Sequence, residues 1–161
     1  MLIAGIVRDS IVDGVGIRDV IFFQGCLHRC KGCHNPQSWS YTEGTEMSVD
    51  EILDELKNSS NDVTISGGEP LFQISDVCNL IERLSKIQNK RCWLYTGYCY
   101  ETLPPQLIIN LSKYVDVLVD GKFVEELKDP NLRFRGSSNQ RLIDLPKSVK
   151  ANKIILWEDN I

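Results

Sequence analysis

Cys26, Cys30 and Cys33 stand in the order C-x3-C-x2-C within Cys26-Leu27-His28-Arg29-Cys30-Lys31-Gly32-Cys33. Three thiolates so close in sequence can bind one metal centre from a single loop. Iron–sulfur clusters are held by Cys thiolates, usually four. Three thiolates on a four-iron cluster leave one iron without a protein ligand, and an open iron is a place for a substrate or cofactor to bind. The spacing also fits a structural zinc site completed by His28 or His34, and it does not by itself exclude a disulfide or inert thiols.

Other segments carry weaker signals. Gly67-Gly68-Glu69-Pro70 could receive the ammonium of an amino-acid-like ligand on its carboxylate or backbone carbonyls, or it could be an ordinary strand-to-helix turn. Asp13-Gly14-Val15-Gly16-Ile17-Arg18 could shape a loop beside the cysteines. There is no G-x-G-x-x-G fingerprint and no P-loop. His28 and His34 could tune a metal centre through hydrogen bonds to sulfur or contact with its ligand, or be plain loop residues. Cys78 and Cys92 lie in helix and strand patterns and are expected as small buried apolar residues. Cys99 follows a strand, and its reactivity depends on its surroundings.

The elements that must position these residues follow from periodicity. Leu2–Val7, Val20–Phe23, Val63–Ser66, Cys92–Tyr95 and Val115–Val119 have the composition of strands, and Ile154–Trp157 is strand-like. Ser48–Lys57 predicts a helix, with Ser48 and Glu51 as a capping box. Ile74–Ile87 and Pro105–Lys113 predict two more. Strand–helix alternation predicts an α/β fold with a parallel sheet. The motifs at Cys26–Cys33, Gly67–Pro70, Tyr95–Tyr98 and Asp120–Lys122 each follow a strand, so they should share the carboxyl edge, where α/β folds bind ligands. A full eight-unit barrel needs about 200 residues or more, so the expectation is a partial, open β/α barrel.

The chain has 161 residues, 42% hydrophobic and 25% charged, and reads as one domain over residues 1–161. A net charge of −4 gives no general pull toward nucleic acid. No apolar run approaches the roughly 20 residues of a membrane span. Six cysteines without a secretory pattern at Met1–Gly5 suggest a reducing, cytoplasmic setting. The stretch from Lys128 to Lys153 is locally basic: a solvated face, or a contact for an anionic ligand or acidic partner.

Taken together, C-x3-C-x2-C after one strand and Gly-Gly-Glu-Pro after the next resemble the radical S-adenosylmethionine enzymes. Asp13–Arg18, Phe22-Phe23-Gln24-Gly25-Cys26 and the residues through His34-Asn35 are similar to those of the glycyl-radical activating enzymes. The small size and Arg135-Gly136-Ser137-Ser138-Asn139-Gln140-Arg141 resemble the branch that serves anaerobic ribonucleotide reductases. The resemblance implies a partial TIM-like barrel in which Cys26, Cys30 and Cys33 ligate three irons of a [4Fe–4S] cluster. The amino and carboxylate groups of S-adenosyl-L-methionine would chelate the fourth iron. Gly67, Gly68 and Glu69 match the segment that holds the methionine amino group. Gly32 stands where many members carry an aromatic near the adenine, which leaves backbone groups there. Cys33 and His34 follow in the same pocket. Thr96, Asp120 and Lys122 match strand-end positions that line the cofactor site. Tyr95 stands where cation-binding relatives tend to carry an acid, which argues against a bound cation. Implied partners are the large, glycyl-radical subunit of an anaerobic ribonucleotide reductase, an electron donor such as flavodoxin, and a possible second copy of the chain. The implied chemistry is reductive cleavage of the sulfonium to methionine and a 5′-deoxyadenosyl radical. That radical takes a hydrogen from a glycine Cα of the partner.

Two rival readings share parts of this pattern. A radical enzyme acting on a small molecule, such as a compact deazapurine-forming synthase, has the same cysteines and Gly-Gly-Glu-Pro turn but needs a closed substrate pocket. A zinc-stabilised binding module needs neither iron nor cofactor.

Overall fold

The computed structural model describes residues 1–158. The strands are β1 (Leu2–Ser10), β2 (Arg18–Phe23), β3 (Thr45–Glu46), β4 (Asp62–Gly67), β5 (Cys92–Tyr95), β6 (Val115–Asp120) and β7 (Arg141–Asp144). The α-helices are α1 (Val49–Leu56), α2 (Ile74–Gln88), α3 (Pro105–Leu111) and α4 (Leu145–Ala151). All seven strands form one sheet in the order β3-β1-β2-β4-β5-β6-β7. The inner four, β2, β4, β5 and β6, run parallel. The outer strands do not: β1 is antiparallel to β2 and β3, and β7 is antiparallel to β6.

The expected parallel sheet is therefore the centre of a mixed one. The sheet is open, since β3 and β7 end it on opposite sides. The antiparallel flanks arise because β1–β2 and β6–β7 are joined by loops, and antiparallel neighbours need no crossover helix.

Sequence dictates the helix ends. Ser48 Oγ accepts from Glu51 N at 3.2 Å, and Glu51 Oε2 accepts from Ser48 N at 2.7 Å, so the predicted capping box forms. Asn89 closes α2 in a left-handed conformation, φ 51°, a role Asn fills at modest steric cost. Asp144 caps α4 by accepting from Lys147 N at 3.0 Å, and Pro146 sits in that first turn, where no N–H is required. β7 and α4 are not predicted from the sequence. The strand-like Ile154–Trp157 is a segment with one bridge, Leu156 to Ile143, and two flanking backbone bonds rather than a strand.

Register assigns the two faces. Ile6, Ile21, Ile65, Leu94, Leu118 and Ile143 pair successively across the sheet. They face one apolar cluster with Ile52, Ile81, Ile108 and Leu145 of the four helices. The next residues along each strand point the other way. There Trp93, Val117, Val119 and Leu142 meet Val15, Tyr95, Phe134 and Trp157, contributed largely by loops. Trp93, Phe134 and Trp157 make three edge-on contacts at centroid distances of 5.0–6.3 Å, the arrangement aromatic quadrupoles favour.

Candidate active site at the carboxyl edge of the parallel strands

The four motif-bearing loops leave the carboxyl ends of the four parallel strands, as predicted. A cavity of about 620 Å³ opens between them, within the range of small-molecule sites. Cys26, Cys30, Cys33 and His34 border it, with Gly67, Gly68, Thr96 and Lys122. Phe22, Ser66 and Tyr95 form its floor from the loop-covered face of the sheet.

The cysteine loop is built tightly at its start. Gly25 N donates to Ser38 O at 2.7 Å and Cys26 N to Trp39 O at 3.1 Å. Cys26 is buried and Cys30 and Cys33 are half-buried, all without disulfides. Each sulfur meets main-chain N–H groups: those of His28 and Arg29 at Cys26, that of Phe123 at Cys30, and that of Asn35 at Cys33, 3.4 Å away. Burial pushes the Cys26 and Cys30 thiols up from their ordinary value. The Lys122 ammonium pulls Cys30 the other way. Such N–H groups stabilise thiolate sulfur when a metal holds it.

Among the described residues, no three His, Cys, Asp or Glu groups converge as a single-ion site. The two histidines that could complete a zinc site have other partners. His28 Nε2 is 2.9 Å from Glu69 Oε2, and the His34 ring packs on Phe123 at 5.0 Å. His28 therefore addresses sulfur through its backbone and not, as its ring could have done, through imidazole. Trp39 also borders the cavity, with a buried indole N–H that no protein acceptor satisfies. Such a donor fits a site whose occupant supplies the acceptor. Three thiols around one cavity, each sulfur facing N–H donors, fit a multinuclear iron–sulfur centre.

The glycine turn is explained by the chain itself. Gly67 has φ +106°, and a Cβ there would lie 2.3 Å from Phe23 N. A Cβ on Gly68 would lie 2.3 Å from Gly25 O. Both glycines let the ends of β2 and β4 close together, with Gly68 N donating to Phe23 O and Glu69 N to Gly25 O, each at 2.8 Å.

Glu69 is fully buried, and its carboxylate accepts four hydrogen bonds. Leu71 N (3.0 Å) and Thr96 Oγ (2.9 Å) reach Oε1; His28 Nε2 (2.9 Å) and Gly97 N (2.7 Å) reach Oε2. A carboxylate has about four lone-pair sites, so all are filled. The side chain is thus committed to the protein, and so is that of Thr96.

Asp120 is also committed. Its oxygens accept from Arg141 Nε at 3.0 Å, Arg141 Nη2 at 2.5 Å and Tyr100 N at 2.8 Å. Arg141 extends to Glu101 in a bidentate pair at 2.8–2.9 Å and holds that carboxyl down at about 2. Asp120 borders a neighbouring cavity of about 810 Å³ rather than the first; Lys122 borders both. Gly32, at φ +71°, borders neither, and a Cβ there would meet the Glu125 carboxylate at 2.9 Å.

One wall of the site was not foreseen. The loop between β6 and β7 brings Phe123, Arg133, Phe134, Arg135 and Gly136 to the cavity. Tyr95 donates its hydroxyl to Phe134 O at 2.6 Å, and burial raises that phenol far above its usual value. Gln140 braces the loop, accepting from Gly136 N at 2.9 Å and donating to Gly121 O at 3.0 Å. The basic stretch therefore divides: Arg133 and Arg135 at the cavity, Arg141 on Asp120, and Lys147 paired with Asp144 at 2.8 Å. The clue in the sequence was the segment Arg135–Arg141, whose resemblance marks the region but not its contacts. Cys92 is buried in the helix-side core, its thiol pushed up to about 12 by burial, and Cys78 packs against that core, as expected. Cys99 is exposed.

Comparison with known proteins agrees with the geometry. Residues 12–143 match the family described as a 4Fe-4S single cluster domain. The anaerobic ribonucleoside-triphosphate reductase-activating protein of Vibrio cholerae is 40% identical over 140 residues, covering 81% of this chain and 90% of that protein. Its namesake in Escherichia coli K12 is 38% identical over the same shares. The one from Enterobacteria phage T4 is 38% identical, covering 81% and 86%. Among solved structures, QueE from Escherichia coli superposes with a TM-score of 0.55 at 19% identity, over 77% of this chain and 60% of that one, a likeness of fold. Three thiols around one cavity, a match to a single-cluster iron–sulfur family, and close relatives along most of the sequence place this chain in the family of anaerobic ribonucleoside-triphosphate reductase-activating proteins.

Proposed function

We propose that this protein is a radical S-adenosylmethionine enzyme that installs a glycyl radical on the large subunit of an anaerobic ribonucleoside-triphosphate reductase. The observation that carries the reading is the placement of Cys26, Cys30 and Cys33 around the cavity that the Gly67-Gly68 turn also borders. Relatives named for activating that reductase supply the partner. One sheet built from strands along the whole described chain supports a single domain, and its open edge supports a half-barrel with a wide mouth.

In this reading Cys26, Cys30 and Cys33 would hold three irons of a [4Fe–4S] cluster, and S-adenosyl-L-methionine would bind in the cavity beside it through its amino and carboxylate groups. When bound, the pair would supply reductive cleavage of the sulfonium with one electron from an external donor, and through it removal of a hydrogen atom from the partner's glycine. The chain's own residues bind and orient. Since the Glu69 carboxylate is filled, recognition of the cofactor's ammonium falls to main-chain carbonyls at Gly67 and Gly68. Lys122, exposed and beside Cys30, offers its charge to the carboxylate. Backbone at Cys33, and the His34 ring against Phe123, flank the remainder of the cofactor, while Gly32 lies outside the cavity. Thr96 and Asp120 act by holding Glu69 and Arg141 in place.

At the mouth, Ile11 and Val12 border the cavity and are 71% and 70% exposed. An apolar rim suits a protein substrate better than a small one. A one-electron donor such as flavodoxin and a second copy of the chain complete the proposal on the strength of the family resemblance, as does a cytoplasmic setting. No helix among the described residues is long and apolar enough to cross a membrane.

The test is anaerobic. The protein is reconstituted with iron and sulfide, reduced, mixed with S-adenosylmethionine and assayed for 5′-deoxyadenosine and methionine. Its reductase is then added and a glycyl radical sought by electron paramagnetic resonance. Cofactor cleavage and a radical on the reductase are expected. Tightly held zinc with no cluster would sink the reading.

A further inference from the structure

We infer that His28 is a positioning residue: through its ring N–H to Glu69 it ties the cysteine loop to the Gly-Gly turn, and so sets how the two anchoring points of the cofactor face each other. This rests on the proposed function and gives His28 a role other than ligating a metal or contacting sulfur.

The geometry starts from Glu69. Its four donors come from three different strand-end loops: His28 from the loop after β2, Leu71 from its own turn after β4, and Thr96 and Gly97 from the loop after β5. A buried carboxylate is costly unless each lone pair is met. Once met, it fixes its donors relative to one another. His28 is the donor that speaks for the cysteine loop. It sits midway between Cys26 and Cys30, whereas the bonds from Cys26 N to Trp39 O and from Glu69 N to Gly25 O fix only the start of the loop, and Cys33 N bonds within the loop, to Cys30 O.

The ring has little freedom to do anything else. Tyr98 packs edge-on at 4.8 Å and Phe72 lies at 6.0 Å. Gly97 is flush beneath it: a Cβ at that position would come within 2.5 Å of His28 Cδ2. Nε2 lies 2.9 Å from a carboxylate oxygen that already accepts from Gly97 N, and the hydrogen-bond pattern assigns it as a further donor to that oxygen. Loss of that N–H leaves Cys26 and Cys30 able to meet iron, but frees their loop to shift against Gly67 and Gly68. The consequence falls on cofactor binding and not on cluster assembly.

Three chains separate this from a packing role. His28→Phe keeps a ring between Tyr98 and Phe72 and removes the donor. His28→Gln offers an amide N–H to the same carboxylate. Each variant and the wild type are reconstituted anaerobically, and iron and sulfide per chain are measured. The dissociation constant for S-adenosylmethionine is then read by equilibrium binding to the reconstituted but unreduced protein, where the cofactor is not cleaved. Full iron is expected in all three. Affinity should fall about tenfold or more in His28→Phe, the scale of a hydrogen bond to a charged group, and recover to within about threefold in His28→Gln. Wild-type affinity in His28→Phe overturns the inference, as does a Gln variant as weak as the Phe variant. A Phe variant that takes up no iron overturns it too, because the role would then lie in building the cluster. Wild-type protein with a full cluster and no affinity for the cofactor would instead refute the functional reading itself.

Discussion

Ile65 and Ser66 are neighbours in β4 and face opposite sides of the sheet. Ile65 lies in a row of aliphatic residues running from β1 to β7 under four helices. Ser66 looks onto a face covered by loops, where the cavity opens. The helix side is uniform: branched aliphatic chains at regular spacing, close-packed, with no chemistry to perform. The loop side is mixed, with aromatic rings, buried hydrogen-bond networks and unfilled space. One face supplies the free energy that holds the sheet. The other uses that rigidity to hold three thiols and a glycine turn around one cavity.

The comparison can be broken most severely at the thiols. Cys30→Ala is expected to abolish cofactor cleavage while the fold survives, because the half-buried Cys30 belongs to the loop side and not to the helix-side core. Measurement of 5′-deoxyadenosine beside a thermal melt of the iron-free chain checks both halves; full cleavage would show the ligand assignment to be wrong. On the helix side the signs reverse. Ile65→Ala should cost about 2–5 kcal/mol in denaturant unfolding, the range for emptying a packed core site. Ser66→Ala, one residue away, should stay within about 0.5 kcal/mol. Equal losses would mean that the two faces share the burden of stability.

Smaller effects sharpen the boundary. Tyr95→Phe removes the hydroxyl that holds Phe134 O, at a carbonyl whose residue sits at φ +60°, a conformation that bulky side chains disfavour. A loss of about 1 kcal/mol is expected, with faster proteolysis between residues 128 and 140 as the more direct reading; an unchanged digest would mean that the aromatic contacts alone secure that wall. The least effect is electrostatic. Arg141 holds the Glu101 carboxyl at about 2, below its ordinary 4.5. A depressed carboxyl contributes stability above its unfolded value and loses it as pH falls through its folded value. The loss should therefore run from about pH 4.5 down to about 2, and Glu101→Gln should flatten that part of the profile. Because Glu101 is 57% exposed, solvent screening keeps the effect modest.

Much of this molecule could be foreseen from local pattern. The four parallel strands, the capping box at Ser48 and the gathering of four motifs on one edge all follow from periodicity within short windows. What escaped depends on partners far apart in the chain. Tyr95 meets Phe134 across 39 residues, and Asp120 meets Arg141 across 21, so spacing could not reveal that either polar group was already engaged. Glu69 shows the same limit in sharper form. Its place beside two glycines suggests a ligand, yet its oxygens are spent on donors from 2 to 41 residues away. β7 does not stand out because Arg141–Asp144 is a four-residue strand with charges at both ends, too short for alternation to show, and α4 has only seven residues, about two turns, in which to show a helical period.

The glycine pair carries a lesson for descent. Gly67 and Gly68 are required because the backbones of β2 and β4 nearly touch, with 2.3 Å left for any added carbon. That demand holds whether or not anything ever occupies the cavity. A descendant that lost its radical chemistry and was retained for some other purpose would shed the three cysteines freely, since nothing in the sheet needs them. It would keep both glycines for as long as it kept its shape. In a distant sequence the glycine pair is therefore a record of ancestry, while the cysteines show whether the trade is still practised.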